Sequence, residues 1–141
     1  MLQDRIPMGD LLTHFFDEAT STLSYLVADP STLECAVIDP VLNFDYASGT
    51  LSTASADEMM GHIRDRGLEL SLILETHIHA DHLSSAPYIK EQLGGEIAIG
   101  ANITAVQETF GAIYGEGAGF RRDGTQFDRL LSDGDTLSVG S

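Results

Sequence analysis

The stretch 75-ETHIHADHLSSA-86 decides how this sequence is interpreted, because three histidines and an aspartate fall within six positions. The residues just before it, 70-LSLILE-75, are nearly continuous in apolar side chains, as in a strand that is covered on both faces. Buried neutral imidazoles each need a hydrogen-bond partner, and clustered imidazolium ions repel one another. A bound cation removes both difficulties, since imidazole and carboxylate are natural metal ligands. The sequence therefore predicts a metal site with four ligands, which are His77, His79, Asp81 and His82.

The spacing of these residues suits a site at the end of a strand. In extended backbone, His77 and His79 point to the same side. If the following helix begins near Asp81, then Asp81 and His82 lie in its first turn, close to the same point in space. Open sheets commonly bind ligands beyond the carboxyl ends of their strands, which is where this cluster falls. The His-Glu-x-x-His signature of helical zinc sites does not occur in the sequence.

The residues on the N-terminal side of the cluster predict strands, a loop and a helix. Residues 11–20, 20–29 and 33–39 are rich in β-branched and aromatic side chains and predict an antiparallel meander. Residues 39–53 contain turn residues without a period and predict a long loop, of a length that is often functional. Residues 55–67 predict an amphipathic helix, with a capping box formed by Ser55 and Glu58 at its start and Gly67 at its end.

The residues on the C-terminal side continue with alternating helices and strands. We expect a helix from residue 82 to the glycine pair at 94–95, a strand over 96–100 and a helix capped by Asn102. A glycine-rich loop over 115–127 precedes a strand, an Asp-Gly turn and a second strand. This order predicts a mixed α/β fold in which helices pack on a mixed sheet.

Length, charge and composition limit the class of protein to which the chain can belong. The chain has 141 residues and a net charge of −15, enough for one domain, and the acidic balance argues against nucleic acid or an anionic membrane surface as a partner. No apolar segment approaches the roughly 18 residues that cross a membrane, and residues 1–12 lack the pattern of a signal peptide. The one cysteine, Cys35, lies in a predicted strand and is interpreted as a core residue. We therefore expect a cytoplasmic protein.

Three stretches of the sequence resemble a known family. The segment 76-THIHADH-82 matches the T-H-x-H-x-D-H motif of the metallo-β-lactamase fold superfamily. Residues 36–49, AVIDPVLNFDYASG, and residues 73–100 around the motif resemble the persulfide dioxygenases, which are relatives of glyoxalase II. Residues 123–140 are similar to bacterial members, some of them described as β-lactamase-like hydrolases. The resemblance covers roughly residues 11–140.

The resemblance to the dioxygenases implies an αββα sandwich with one Fe(II) held by two histidines and an aspartate at the edge of the sheets. The first of those histidines matches His77, while His79, Asp81 and His82 would orient the site around it. The implied reaction converts glutathione persulfide, oxygen and water to glutathione and sulfite. Ala80, where glyoxalase II more often has a bulky residue, favours this branch.

The resemblance to glyoxalase II implies a different use of the same motif. There His77 and His79 would hold one zinc ion, Asp81 and His82 a second, and a bridging hydroxide would attack a thioester. Asp81 is the residue that we predict to be catalytic.

Further residues are assigned by the same resemblance or by their charge. Asp39 matches an aspartate near the family's site and either supports the metal ligands or caps its own loop. Arg121 and Arg122 are adjacent cations in a chain with seven basic residues, so they are candidates for binding an anionic thiol substrate.

The sequence also departs from the family pattern, because no histidine follows His82 and the later aspartates match no ligand position. We therefore expect residues 1–141 to form a single truncated domain, the N-terminal portion of the sandwich. An uncovered sheet would then favour self-association. A third interpretation is an inactive metal-binding or interaction fragment.

Overall fold

The computed structural model describes residues 11–115, 117 and 119–141, so the N-terminal segment 1–10 and its predicted lack of a signal peptide lie outside the described residues. The fold contains nine strands and three helices in the part of the chain that is described. The strands are β1 (Leu12–Asp17), β2 (Thr22–Ala28), β3 (Glu34–Ile38), β4 (Val41–Asp45), β5 (Thr50–Ser52), β6 (Glu69–Leu74), β7 (Leu83–Ser84), β8 (Glu96–Gly100) and β9 (Arg129–Leu131). The helices are α1 (Ala54–Asp65), α2 (Ala86–Leu93) and α3 (Ile103–Ile113).

The main sheet has six strands in the order β1-β2-β3-β6-β8-β9. Strands β1, β2 and β3 are antiparallel neighbours, which confirms the predicted meander. Strands β3, β6, β8 and β9 run parallel to one another. The parallel strands all end at the same edge of the sheet, and this edge carries the histidine cluster.

One face of the main sheet is covered by helices α1 and α2. The core between them includes Leu26, Val37, Met60, Ile73 and Ile89, each at most 1% exposed. Cys35 is fully buried in the same core, and burial raises the pKa of its thiol to about 12, as expected of a core cysteine.

The opposite face of the main sheet carries the alternate residues of the same strands. Tyr25, Ile38 and Leu74 lie side by side on this face and are half-buried. No helix among residues 11–115 and 119–141 is long and apolar enough to cross a membrane. Self-association through the half-buried face stays a prediction.

Residues 39–53, which the sequence predicts as a long loop, instead form the hairpin β4–β5. Residue Val41 of β4 is buried, and β4 pairs with β5 on one side and with β7 on the other, in a second sheet of order β5-β4-β7. The hairpin turn is closed by Asp45, whose carboxylate accepts hydrogen bonds from the Ala47 amide and the Ser48 hydroxyl. The loop prediction was wrong because turn residues interrupt this stretch and hide the short alternation of side chains that is typical of a strand.

The predicted capping box at the start of α1 is also wrong. The N-cap residue is Thr53, and the side chain that serves the helix start belongs to Asn43 on β4, whose Oδ1 accepts the Ser55 amide hydrogen at 2.9 Å. Ser55 Oγ itself accepts a hydrogen bond from Asn43 Nδ2 at 2.8 Å. The predicted end of the helix is confirmed, since Gly67 has a φ of +63° directly after the C-cap residue.

Helix α2 begins at Ala86, later than the sequence predicts, so Asp81 and His82 do not lie in its first turn. Residues Leu83 and Ser84 form β7 and pair with β4 instead. Pro87 lies in the first turn of α2, where its missing amide hydrogen costs nothing.

The last elements agree with the predicted order only in part. Helix α3 has Asn102 at its N-cap position, although no side-chain hydrogen bond caps it. Strand β9 forms and the Asp133-Gly134 turn follows it, but the predicted final strand is not formed. Instead, the Ser141 amide donates to Asp29 Oδ2, so the chain leaves β9 toward the turn between β2 and β3.

Candidate metal centre

The candidate site lies beyond the ends of two adjacent parallel strands. Strands β3 and β6 pair in register up to Ile38 and Leu74, so Asp39 and Glu75 follow side by side. Asp39 has a φ of +50°, a conformation that aspartate tolerates better than most residues, and its amide donates to the Leu74 carbonyl at 2.8 Å. The parallel pairing of β3 and β6 therefore fixes where the two carboxylates emerge.

Asp39 accepts three hydrogen bonds from the histidine loop. Its Oδ1 accepts from the Thr76 amide at 2.8 Å and lies 2.9 Å from His79 Nε2, and its Oδ2 accepts from the Thr76 hydroxyl at 2.7 Å. Burial alone would raise the pKa of Asp39, but the bonds from Thr76 and His79 outweigh burial and lower the pKa below its usual value. Asp39 is therefore an ionised acceptor that holds the loop to β3.

The Asp39 contacts also determine which ring nitrogens of His77 and His79 keep a lone pair that could bind a metal. The Thr76 hydroxyl has one proton and donates it to Asp39, so it must accept at its second contact, which is His77 Nδ1 at 2.8 Å. His77 then carries its proton on Nδ1, and Nε2 is left with a lone pair. His79 donates from Nε2 to Asp39, which leaves its Nδ1 lone pair on the side of Asp81, with 3.8 Å between Nδ1 and Asp81 Oδ1. One carboxylate thus sets the tautomers of two histidines.

His82 is buried and has an unsatisfied nitrogen. Its Nδ1 donates to the Leu83 carbonyl at 2.9 Å, so its Nε2 carries the lone pair. That Nε2 is buried and has no hydrogen-bond partner. A buried acceptor without a partner is costly, and the simplest group to satisfy it is a cation.

Three of the four predicted ligands come together around one point. His79, Asp81 and His82 can each offer one ligand atom, and these atoms all lie within 4.8 Å of one another. Two imidazoles and a carboxylate are a donor set used by both zinc and non-haem iron, so these residues fit a metal ion. His77 lies outside this group, although its ring centroid is 4.2 Å from that of His79.

Glu75 was missed by the sequence reasoning. It is buried, its Oε1 accepts a hydrogen bond from the Ser84 hydroxyl, and its Oε2 lies 3.4 Å from His79 Nε2. Burial raises the pKa of Glu75 to about 7, opposed by the Ser84 bond and reinforced by the Asp39 charge. The only signal in the sequence was a carboxylate ending an otherwise apolar strand. Glu75, Asp39 and His79 form a second group whose ligand atoms lie within 4.8 Å of one another.

Two cavities border the cluster. The first has a volume of about 320 Å³ and is lined by Glu75, His77, His79 and His82 together with apolar residues that include Ile97 and Phe127. The second, of about 360 Å³, is lined by His79, Asp81 and His82 together with residues of the β4–β5 hairpin. A small molecule can therefore approach the histidines from either cavity.

The two arginines predicted to bind substrate lie on the loop after α3. Arg121 donates to Asp123 Oδ2 at 3.1 Å, and the Arg122 guanidinium packs against Gly111 of α3. Neither lines the two cavities that border the histidines. A role for either in substrate binding stays a prediction.

The family model described as the Metallo-beta-lactamase superfamily matches residues 17–140. Among solved structures, the class B3 di-zinc metallo-beta-lactamase LRA-12 from an Alaskan soil metagenome is similar with a TM-score of 0.60 and 23% identity, over 92% of this chain and 46% of that one. This likeness concerns the fold.

Three curated relatives bear on activity. A probable metallo-hydrolase of Burkholderia pseudomallei is 54% identical over 90% of this chain, and glyoxylase B2 of Dictyostelium discoideum is 42% identical over 86%. The human mitochondrial persulfide dioxygenase ETHE1 is 29% identical over 92% of this chain. The chain spans 43%, 42% and 39% of the lengths of these three proteins respectively.

Proposed function

The chain belongs to the metallo-beta-lactamase superfamily, and from this premise we propose that it provides part of the metal centre of a persulfide dioxygenase. The proposed reaction converts a small persulfide such as glutathione persulfide, with oxygen and water, to the thiol and sulfite. The metal is Fe(II) in this proposal, with Zn²⁺ as the alternative. The similarity to a persulfide dioxygenase over 92% of the chain supports it.

The observation that carries the proposal is the hydrogen-bonded series from Asp39 through Thr76 to His77. It leaves His77 Nε2 as a lone-pair nitrogen on a ring that borders the 320 Å³ cavity, which is largely lined by apolar side chains. An apolar cavity suits oxygen, and a single imidazole offered there suits a centre that keeps positions open for substrates. When bound, Fe(II) supplies the one-electron chemistry that oxygen requires.

The residues of this chain have separate roles in the proposed reaction. His77, with His79 or the pair Asp81 and His82, would hold the metal. Asp39 would keep His77 and His79 in the required tautomers, which is the usual work of a carboxylate behind a metal-bound histidine. Asp81 would accept a hydrogen bond from the persulfide or from water, since its side chain is 55% exposed and borders the second cavity. Water and substrates would complete the coordination.

The test is metal analysis of anaerobically purified protein, followed by oxygen uptake with glutathione persulfide. We expect iron-dependent uptake and equimolar sulfite, and we expect His77→Ala to lower the rate by about 100-fold. His62→Ala is the matched control, because His62 lies on α1 in edge contact with Phe15, away from the cluster. Iron-loaded protein that consumes no oxygen would contradict the proposal.

A thioester hydrolase of the glyoxalase II type is the second candidate. It is favoured by the gathering of His79, Asp81 and His82 within 4.8 Å, separate from His77, and by the 42% identity to glyoxylase B2. Two zinc ions per chain and hydrolysis of S-lactoylglutathione would establish this candidate instead. Absence of both metal and turnover would favour an inactive binding module.

A further inference from the structure

Strand β4 presents apolar side chains on the side opposite to its buried face. Val41 is buried, and Asn43 is hydrogen-bonded to Asp17 and Ser55. The alternate residues Leu42 and Phe44 face the other way because side chains alternate along a strand, and Tyr46 follows in the turn directly after β4. These three residues are here called the β4 row. Tyr46 is 77% exposed.

The β4 row lies next to the candidate metal ligands. All three of its residues line the 360 Å³ cavity, together with His79, Asp81 and His82. Strand β7 follows His82 directly, and its pairing of Leu83 with Leu42 fixes the row against the histidine loop. The apolar surface and the metal-binding groups are thus two walls of one cavity, whose volume is within the range of small-molecule sites, about 300 to 1,000 Å³.

The aromatic members of the row have the geometry of a binding surface. The rings of Phe44 and Tyr46 meet edge to face, with 4.9 Å between their centroids and an interplanar angle of 81°. Such an arrangement leaves a ring face available for a third aromatic or alkyl group.

The charges around the cavity argue against an anionic substituent. Among the described residues that line it there is no lysine or arginine, and the carboxylate among them is Asp81. Three basic side chains in the described part of the chain pair with carboxylates elsewhere, Lys90 with Asp128, Arg129 with Glu96 and Arg121 with Asp123. The two carboxylates of glutathione would therefore lack a counter-charge here.

We propose that the β4 row binds an uncharged alkyl or aryl group carried by the reacting sulfur of the substrate. The inference rests on the proposed function, because the sulfur is taken to bind at the adjacent metal centre. It adds to the proposed substrate class a preference for persulfides whose sulfur carries an apolar group.

The experiment compares two thiols on the zinc-loaded chain by isothermal titration calorimetry. Benzyl mercaptan should bind about tenfold more tightly than glutathione, since burying its ring on the row is favourable. The double variant Phe44→Ala/Tyr46→Ala should lose about tenfold in benzyl mercaptan affinity and keep its zinc affinity.

The matched control is Phe110→Ala/Tyr114→Ala on α3. These two rings contact each other as well, in a stacked arrangement, and are exposed at 48% and 73%, but they line neither cavity beside the histidines. The control should bind both thiols as the unaltered chain does. Equal affinity for the two thiols, or a double variant that binds benzyl mercaptan as before, overturns the inference.

A metal-free titration separates this inference from the proposed function. Benzyl alcohol added to the ¹⁵N-labelled chain should shift the amide signals of residues 42–46, and the double variant should abolish those shifts. If the chain binds neither Fe(II) nor zinc, the proposed function fails, and this titration alone decides the inference. Shifts confined to other residues, or no shifts, overturn it.

Discussion

The histidines in the two halves of the loop between β6 and α2 differ in how completely the protein satisfies their rings. In the first half, Asp39 accepts hydrogen bonds from Thr76 and His79, so the ring positions are fixed by the protein itself. In the second half, His82 Nε2 is buried without a partner, and the Asp81 carboxylate makes long contacts, 3.3 Å from the Thr22 hydroxyl and 3.8 Å from His79 Nδ1. The fold therefore preorganises the first half, and the second half is left to a ligand.

The substitution Asp39→Asn should break the satisfied half and have the largest effect on stability. An amide has one acceptor oxygen where the carboxylate has two, and its NH₂ group would turn the Thr76 hydroxyl into an acceptor. The Thr76 proton would then point to His77 Nδ1 and leave the His77 proton on Nε2. We expect a loss of about 2 to 3 kcal/mol in the free energy of unfolding by urea.

The same variant should also lower zinc affinity by about 10- to 100-fold. The ¹⁵N chemical shifts of the His77 ring report the tautomer, which should change from Nδ1–H to Nε2–H. Asp128→Asn is the control, because Asp128 is a hydrogen-bonded carboxylate far along the chain from the histidines. An unchanged tautomer would contradict the donor assignment made from the Thr76 hydroxyl.

The substitution His82→Ala should remove most of the stabilisation that metal binding gives, in addition to a loss of metal-free stability from the missing buried ring and its bond to the Leu83 carbonyl. Zinc at a hundred times its dissociation constant stabilises a protein by about 2.7 kcal/mol, and most of this gain should be lost in the variant. Thermal unfolding with and without zinc measures the gain. If zinc stabilisation persists in His82→Ala but disappears in His77→Ala, then His77 and not His82 supplies the free nitrogen that binds the metal.

The sequence was sufficient for the parts of the fold that repeat a pattern. The meander β1–β3, the buried strand β6 and the strand β8 were predicted because their apolar residues follow a period of two or form continuous runs. The histidine motif was visible because its residues are close in the sequence.

Contacts between distant segments could not be predicted in the same way. Asn43 serves the start of α1 from another strand, and Glu75 meets His79 only because the loop folds back on the end of β6. The orphaned nitrogen of His82 depends on which carbonyl its other nitrogen meets. Such features arise from tertiary packing, so a residue pattern along the chain does not contain them.

The side chain of Asn43 is the centre of a second hydrogen-bonded network, which has no role in metal binding. Asn43 Nδ2 donates to Asp17 and Ser55, and its Oδ1 accepts the Ser55 amide hydrogen. Asn43→Ala should cost about 1.5 kcal/mol in urea unfolding, since it removes all three bonds and leaves the start of α1 without its acceptor. Ser55→Ala should cost about 0.5 kcal/mol. It removes one hydrogen bond, and Ser55 is not the N-cap residue of α1. A larger cost for Ser55→Ala would restore the capping box that the sequence predicted.

The smallest expected effect is that of Asp128→Asn. Asp128 is a carboxylate with hydrogen-bond partners, and the pH dependence of stability measures what those bonds contribute. The hydrogen bonds from the Lys90 ammonium and the Ile97 amide lower the pKa of Asp128 below its ordinary value. A carboxyl whose pKa is lower in the folded state stabilises the protein above its unfolded pKa, and this stabilisation is lost as the pH falls through the folded pKa. Asp128→Asn should therefore flatten the decline in stability below about pH 4, by less than about 1 kcal/mol because solvent screens the half-exposed pair. Zinc affinity at neutral pH should not change, because the hydrogen bonds of Asp128 go to Lys90 and Ile97 and none goes to the histidine loop.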